Sequence, residues 1–191
     1  MNPLLEDFNT APFSKILSTD YKPAIKEAIE ICKQEIETII SNPEIPSFQN
    51  TTEALEFTGQ KLGRITSIFF NLNSAETSEA IQKIAQEISP WLSEFKNDMI
   101  LNSALFTKVK SVYDTRGVLN LDSEQTMLLE KQYKGFSRNG ANLNNEDKEK
   151  LRKIDTELSK LSLQFGENVL ADSNAFKLHI TDEKDLKGLP D

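Results

Sequence analysis

One cysteine and one histidine occur in the whole chain. A lone cysteine, Cys32, cannot form an intrachain disulfide. One Cys and one His also cannot build a four-ligand Cys/His zinc site. The HExxH arrangement of a hydrolytic zinc helix needs two histidines four apart with a Glu between them. The chain has only His179. Neither of the Gly-rich phosphate loops, G-x-x-x-x-G-K-[ST] and G-x-G-x-x-G, is present. G-x-S-x-G is missing too, so His179 has no nucleophile motif to serve. Seven Gly and seven Pro are few for an all-β chain, which needs many tight turns. No run approaches the roughly 18 apolar residues of a membrane-spanning helix. MNPLLEDFNTAPF has neither the basic start nor the apolar centre of a secretory signal. Basic side chains are outnumbered, 22 against 30, for a net charge of −8. That balance argues against general binding to nucleic-acid phosphates and to anionic membranes. Missing signal and missing disulfides together set an expectation of a cytoplasmic protein.

The sequence is instead rich in helical periodicity. The clearest case lies between Gly135 and Asp172. Leu151, Ile154, Leu158, Leu161, Phe165 and Val169 lay one apolar stripe along a helix expected from Asn145 to Ala171. Asn144 is placed to cap it, and Glu146, Asp147 and Glu149 suit the positive end of the helix dipole. The stripe is expected to be mostly core, with any exposed remainder marking where another body docks.

Other helices precede it. Residues 1–18 read as an extended arm anchored by Leu4, Leu5, Phe8, Phe13, Ile16 and Leu17. A first helix begins near Thr19 or Asp20, with Pro23 in its first turn. It carries Ile25, Ile29, Cys32, Ile36 and Ile39, and stops at Asn42–Pro43. Cys32 lies on the stripe and reads as a small core residue. After a proline-marked connector, a second helix is expected from Thr51 or Thr52 through Leu72. Gly59 and Gly63 would lie inside it, where they could let another helix approach. Thr77 or Ser78 caps a third helix with Ile81, Ile84, Ile88, Trp91 or Leu92, Phe95 and Met99, and Pro90 is expected to kink or interrupt it. Asn102 caps a fourth. Asp122 and Gln125 form a capping box for a fifth. After the sixth, Phe176, Leu178 and Ile180 alternate with Lys177, His179 and Thr181, which predicts a short half-buried strand. A last helical turn opens at Thr181 and is stopped by the Gly188–Pro190 stretch.

The expected fold is therefore an all-α bundle of about six or seven helices with a short C-terminal strand. We divide residues 1–191, taken as one helical domain, into an arm (1–18), a bundle (19–172) and a strand and turn (173–191). The remaining candidates for chemistry read as structure. His179 falls on the polar face of the strand. Asp172, Asp182, Glu183 and Asp185 suit solvated caps. Lys131, Lys134 and Arg138 share one face of the fifth helix near Tyr133 and Phe136, a pattern that can bind single-stranded nucleic acid but that an acidic chain uses as a solvated face. No catalytic, cofactor-binding or metal-binding residue is assigned.

Four stretches, in order, carry a family resemblance: TDYKPAIKEAIE, FFNLNSAET, GFSRNGANL with the helix after it, and FKLHITDEKDLKGLP. The chain resembles the N-terminal helical region of the thimet oligopeptidase family of zinc metallopeptidases, on its bacterial peptidyl-dipeptidase and oligopeptidase A branch. The resemblance implies a fragment of a larger, mostly helical enzyme that cleaves short peptides in a channel between two halves. It implies a catalytic zinc held by an HExxH helix and a downstream Glu, all beyond Asp191, with no position here matching them. This segment would wall the channel and limit access, its partner being the C-terminal catalytic part of the same chain. A freestanding helical interaction module without activity is the competing expectation.

Overall fold

The computed structural model describes residues 2–188, without the side chains of Glu183 and Leu186. Six long helices carry the fold: α1 Tyr21–Ser41, α2 Gln60–Ala75, α3 Glu79–Ile100, α4 Ser103–Asp114, α5 Ser123–Arg138 and α6 Asn145–Ala175. Local chemistry sets most of their starts. Ser78, Asn102 and Asn144 each accept a hydrogen bond from the backbone N–H three residues on. Asp122 and Gln125 close the capping box at α5. Each such cap satisfies an N–H that the helix itself leaves free.

α1 is the centre of the core and packs on α2, α3 and α4. It buries Tyr21, Ala24, Ile25, Ala28, Ile29, Cys32, Ile36 and Ile39. Tyr21 meets Phe69 of α2 edge to face, 4.9 Å between ring centroids, a geometry that aligns ring edge with ring face. From α3 come Ala85, Ile88 and Phe95. A smaller cluster of Phe48, Val112 and Leu129 joins α4 and α5 to the connector.

Five expectations need correction. First, Phe176–Thr181 forms no strand, and all but Ile180 are exposed. A lone strand has no ladder to join, and no described segment offers it an edge. Second, the second helix is not continuous. It begins as a π-helical turn, Phe48–Glu53, and breaks at Gly59, whose φ of 74° is left-handed. Gly59 is thus the hinge into α2, not an interior residue. Its N–H donates to Glu35 Oε2 at 2.8 Å, and an added Cβ would lie 2.9 Å from Cys32 Sγ. Third, the Gly59/Gly63 pair does not lie within one helix: Gly63 alone is interior to α2, and a Cβ built on it meets nothing within 4 Å. Fourth, of the two alternatives at Pro90, a new segment is excluded: α3 runs through it as one helix. Fifth, Leu4 is buried but Phe13 and Leu17 of the arm face solvent. The arm is held instead by Arg64, which stacks on Phe8 at 4.3 Å and donates to the Glu6 carbonyl. The last turn, Glu183–Leu186, is 3₁₀ and is capped by Asp182. Leu189 and Pro190, expected to help stop it, lie outside the described residues.

Gly140 ends α5 with φ at 96°. A Cβ there would sit 2.5 Å from Leu151 Cδ2, 3.1 Å from Leu143 and 3.2 Å from Leu101. We predict that Gly140→Ala costs about 2–3 kcal/mol, from backbone strain plus overpacking, which lowers Tm by roughly 5–10 °C. Gly63→Ala should raise stability by up to about 1 kcal/mol, since it removes a helix-interior glycine without a clash. Thermal melting of the two variants checks both. Equal stability of Gly140→Ala and the unmodified chain would show that this turn carries no strain.

Candidate functional site

The long helix α6 packs on α3 with its polar face. Lys148 is buried, and its ammonium donates to the Leu101 carbonyl at 2.9 Å and to Ser103 Oγ at 2.8 Å. That places a cation at the C-terminal end of α3, where free carbonyls attract it. One turn on, Arg152 pairs with Asp98 at 2.7 Å. Further along, Gln86 of α3 donates to Glu167 at 2.8 Å. Between these clamps, Thr156 and Ser159 donate to carbonyls of their own helix, those of Arg152 and Thr156. Their hydroxyls are thereby satisfied without help from α3.

This seam turns the apolar stripe outward. Ile154 is 60% exposed, Leu158 57%, Leu161 52%, Phe165 71% and Val169 50%. The expectation that the stripe is mostly core is therefore wrong. At about 100° per residue, the seam (Lys148, Arg152, Thr156, Ser159, Leu163, Glu167) and the stripe point roughly 150° apart. A surface helix ordinarily buries its apolar face. Here the polar face is covered and the apolar face is open.

A second apolar feature lies beside it. A groove of about 650 Å³ runs between α2, the C-terminal half of α3, and α5. Its walls include Leu62, Phe70, Leu92, Phe95, Met99 and Phe136. Gly59, Gly63 and Gly135 line it. Polar groups are few. Thr66 is engaged by the carbonyls of Leu62 and Gly63. Gln132 donates to the Thr52 carbonyl at 2.9 Å, while its buried Oε1 has no donor among the described residues. Phe70 and Leu92 also wall a smaller cleft that reaches Leu158 of α6. The rest of that cleft is polar, lined by Ser89, Ser93, Lys96, Asp155, Ser159 and Ser162, so groove and stripe are neighbours across a polar strip.

The residues singled out from the sequence do not converge here. Cys32 is buried; burial, with the nearby Glu35 charge, pushes its thiol up to about 11. A thiol held protonated is a poor nucleophile. His179, Asp172 and Asp185 are exposed on or beside the C-terminal segment. Lys131, Lys134 and Arg138 are exposed on α5. Lys134 pairs with Glu130 at 2.8 Å, and this hydrogen bond and charge hold the Glu130 carboxyl below its usual range. Among the described residues no three His, Cys, Asp or Glu side chains come together as a metal site. Among the described residues no helix is long and apolar enough to cross a membrane. The groove itself was missed in the sequence. Its one signal was a pair of glycines, Gly63 and Gly135, inside otherwise regular helices.

We predict that Leu161→Gln and Phe165→Gln each change the stability of the 191-residue chain by no more than about 0.5 kcal/mol. Phe69→Ala, in the core, should cost about 3–5 kcal/mol. Denaturant titration separates the two. A loss above about 2 kcal/mol for either stripe variant would mean that the stripe is core after all.

No protein-family model matches the chain. Individual relatives do. The dipeptidyl carboxypeptidase of Salmonella typhimurium is 38% identical over 192 residues, covering 98% of this chain and 28% of that protein. The dipeptidyl carboxypeptidase of Escherichia coli is 37% identical over 194 residues, 99% of this chain and 28% of that protein. Oligopeptidase A of Escherichia coli is 28% identical over 190 residues, 100% of this chain and 28% of that protein. The chain therefore spans a little over a quarter of the length of these relatives. By sequence it is similar, over its whole length, to the N-terminal region of the thimet oligopeptidase family, in the branch of dipeptidyl carboxypeptidase and oligopeptidase A.

Proposed function

We propose that this helical unit is the non-catalytic N-terminal part of a zinc metallopeptidase that hydrolyses short peptides, as a peptidyl-dipeptidase or an oligopeptidase. It walls the substrate channel, limits access to it, and docks on a C-terminal catalytic part of the same polypeptide. The single observation that carries this reading is the outward apolar face of α6. A surface of that kind calls for a covering body. The relatives, whose names are those of peptidases, have nearly three-quarters of their length outside the match.

The family's zinc does not fit the donors of this chain. One His and one Cys cannot supply the nitrogen and sulfur ligands of a zinc site, and the described acidic side chains form no cluster with them. The metal belongs to the catalytic part in this reading, where it would activate water for peptide hydrolysis. The helices here act on the reaction only by shape, by excluding folded substrates. A cytoplasmic location goes with this assignment, since a single buried thiol suits a reducing compartment.

The second reading, a freestanding interaction module, draws on the same exposed face and differs in what covers it. We expect the 191-residue chain to cleave no quenched short peptide. The polypeptide extended by its own downstream reading frame to the length of its relatives should cleave such peptides and lose that activity to a chelator. Steady, chelator-sensitive cleavage by the pure 191-residue chain would sink the division of labour. A stop codon after Asp191 would favour the freestanding module.

A further inference from the structure

We infer that the groove between α2, α3 and α5 is the seat of an apolar helix from the polypeptide beyond the matched quarter. This inference rests on the reading that such a further part exists, and it says where and how that part engages. The groove has the shape of a helix-in-groove site, with apolar walls and room for a row of side chains. A small-molecule site of this size would hold several convergent polar groups. In this one the Thr58 and Thr66 hydroxyls are engaged by carbonyls of their own segments, and the Gln132 side-chain oxygen is buried away from the opening. Glu56 is the sole charged lining residue, so an apolar occupant fits and a charged peptide does not.

The glycines point the same way. Gly63 and Gly135 lie within α2 and α5, and a Cβ on either would meet nothing within 4 Å. Each glycine costs roughly 1 kcal/mol against alanine in a helix interior. Nothing in this chain requires them. A helix laid across the groove would, because its side chains or backbone would come to rest over those two positions.

The chain itself does not supply this helix. The described segment that follows α6 starts from the wrong end of α3: the C-terminal part of α6 lies beside Asn73, Thr77 and Gln82. The groove lies at the other end of α3, from Leu92 to Ile100. The relatives run to more than three times the matched length, so a further part has chain to provide it. Because Phe70 and Leu92 wall both the groove and the cleft to Leu158, one body can cover groove and stripe together.

A thiol placed in the groove tests this without reference to activity. Thr66→Cys is made in the 191-residue chain and in the extended polypeptide, with Glu44→Cys on the exposed connector as the control. Labelling by N-ethylmaleimide is read at each site by peptide mass, which separates the buried Cys32. The expected result is labelling at least tenfold slower at position 66 in the extended polypeptide, with the control unchanged. Gly63→Leu should leave the melting temperature of the 191-residue chain the same or higher, yet restore labelling in the extended polypeptide. Equal labelling in both lengths overturns the inference, as does a reading frame that stops at Asp191. Protection already present in the 191-residue chain overturns it too: protection lost on deleting 176–188 names the chain's own tail, and protection that rises with concentration names a second copy. An extended polypeptide that shields position 66 but cleaves no peptide sinks the proposed function alone. One that cleaves peptides while position 66 stays reactive sinks this inference alone.

Discussion

The buried ammonium of Lys148 decides which way the longest helix faces. It fixes the first turn of α6 against the end of α3, at the Leu101 carbonyl and Ser103. A helix pinned at one end can still roll. The Arg152–Asp98 pair one turn later and the Gln86–Glu167 bond further along prevent that. Each of these is modest alone, since partly exposed pairs contribute about 0–1 kcal/mol. Together they select one face of α6 for α3. That face is polar, so the apolar one is left for something else. The exposed stripe is thus a consequence of the polar seam, and the seam is specified by residues at 148, 152 and 167.

The same logic runs through the groove. α1 gathers α2, α3 and α4 around its apolar face and completes a core there. The outer edges of α2, α3 and α5 do not close on one another. They leave a concavity floored by Gly63 and Gly135, where α-helices would ordinarily carry side chains. Gly59 and Gly140 stand apart from these two. Their positive φ values and crowded Cβ positions explain them within the chain. Gly63 and Gly135 have no such internal reason. Two kinds of glycine therefore separate what this chain needs for its own fold from what it keeps open.

Helix starts were legible in the sequence because capping is local. Ser78, Asn102, Asp122 and Asn144 each act on an N–H three residues away, and no tertiary information is required. Helix faces were legible as faces, and the stripe of α1 (Ile25, Ile29, Cys32, Ile36 and Ile39) is core. The stripe of α6 was found but misplaced. Periodicity reports that two sides of a helix differ; it does not report which side the neighbour takes. Lys148 was the missed clue, a lysine whose partner lies 47 residues away and is invisible to any local pattern. The strand at Phe176–Thr181 failed for a related reason. Alternation promises one covered face, and nothing described here covers it. The candidate site was least legible, because a groove is assembled from three helices and its defining residues are glycines that do nothing locally.

An outward apolar stripe has an energetic meaning. Five large apolar side chains, each gaining about 1.5–3 kcal/mol on full burial, represent roughly 8–15 kcal/mol of gross stabilisation. That equals the net stability of a typical domain. At most half of each is already covered, and ordering costs offset more of the gain, but the remainder is still large against that margin. A helix that turns such a surface to solvent would normally roll to bury it. The polar seam opposes the roll and holds the surface ready in one orientation. Shape, rather than any reactive group, is then what this region contributes. Lys148, Arg152 and Glu167 set that shape through their contacts with α3 and the residues at its end.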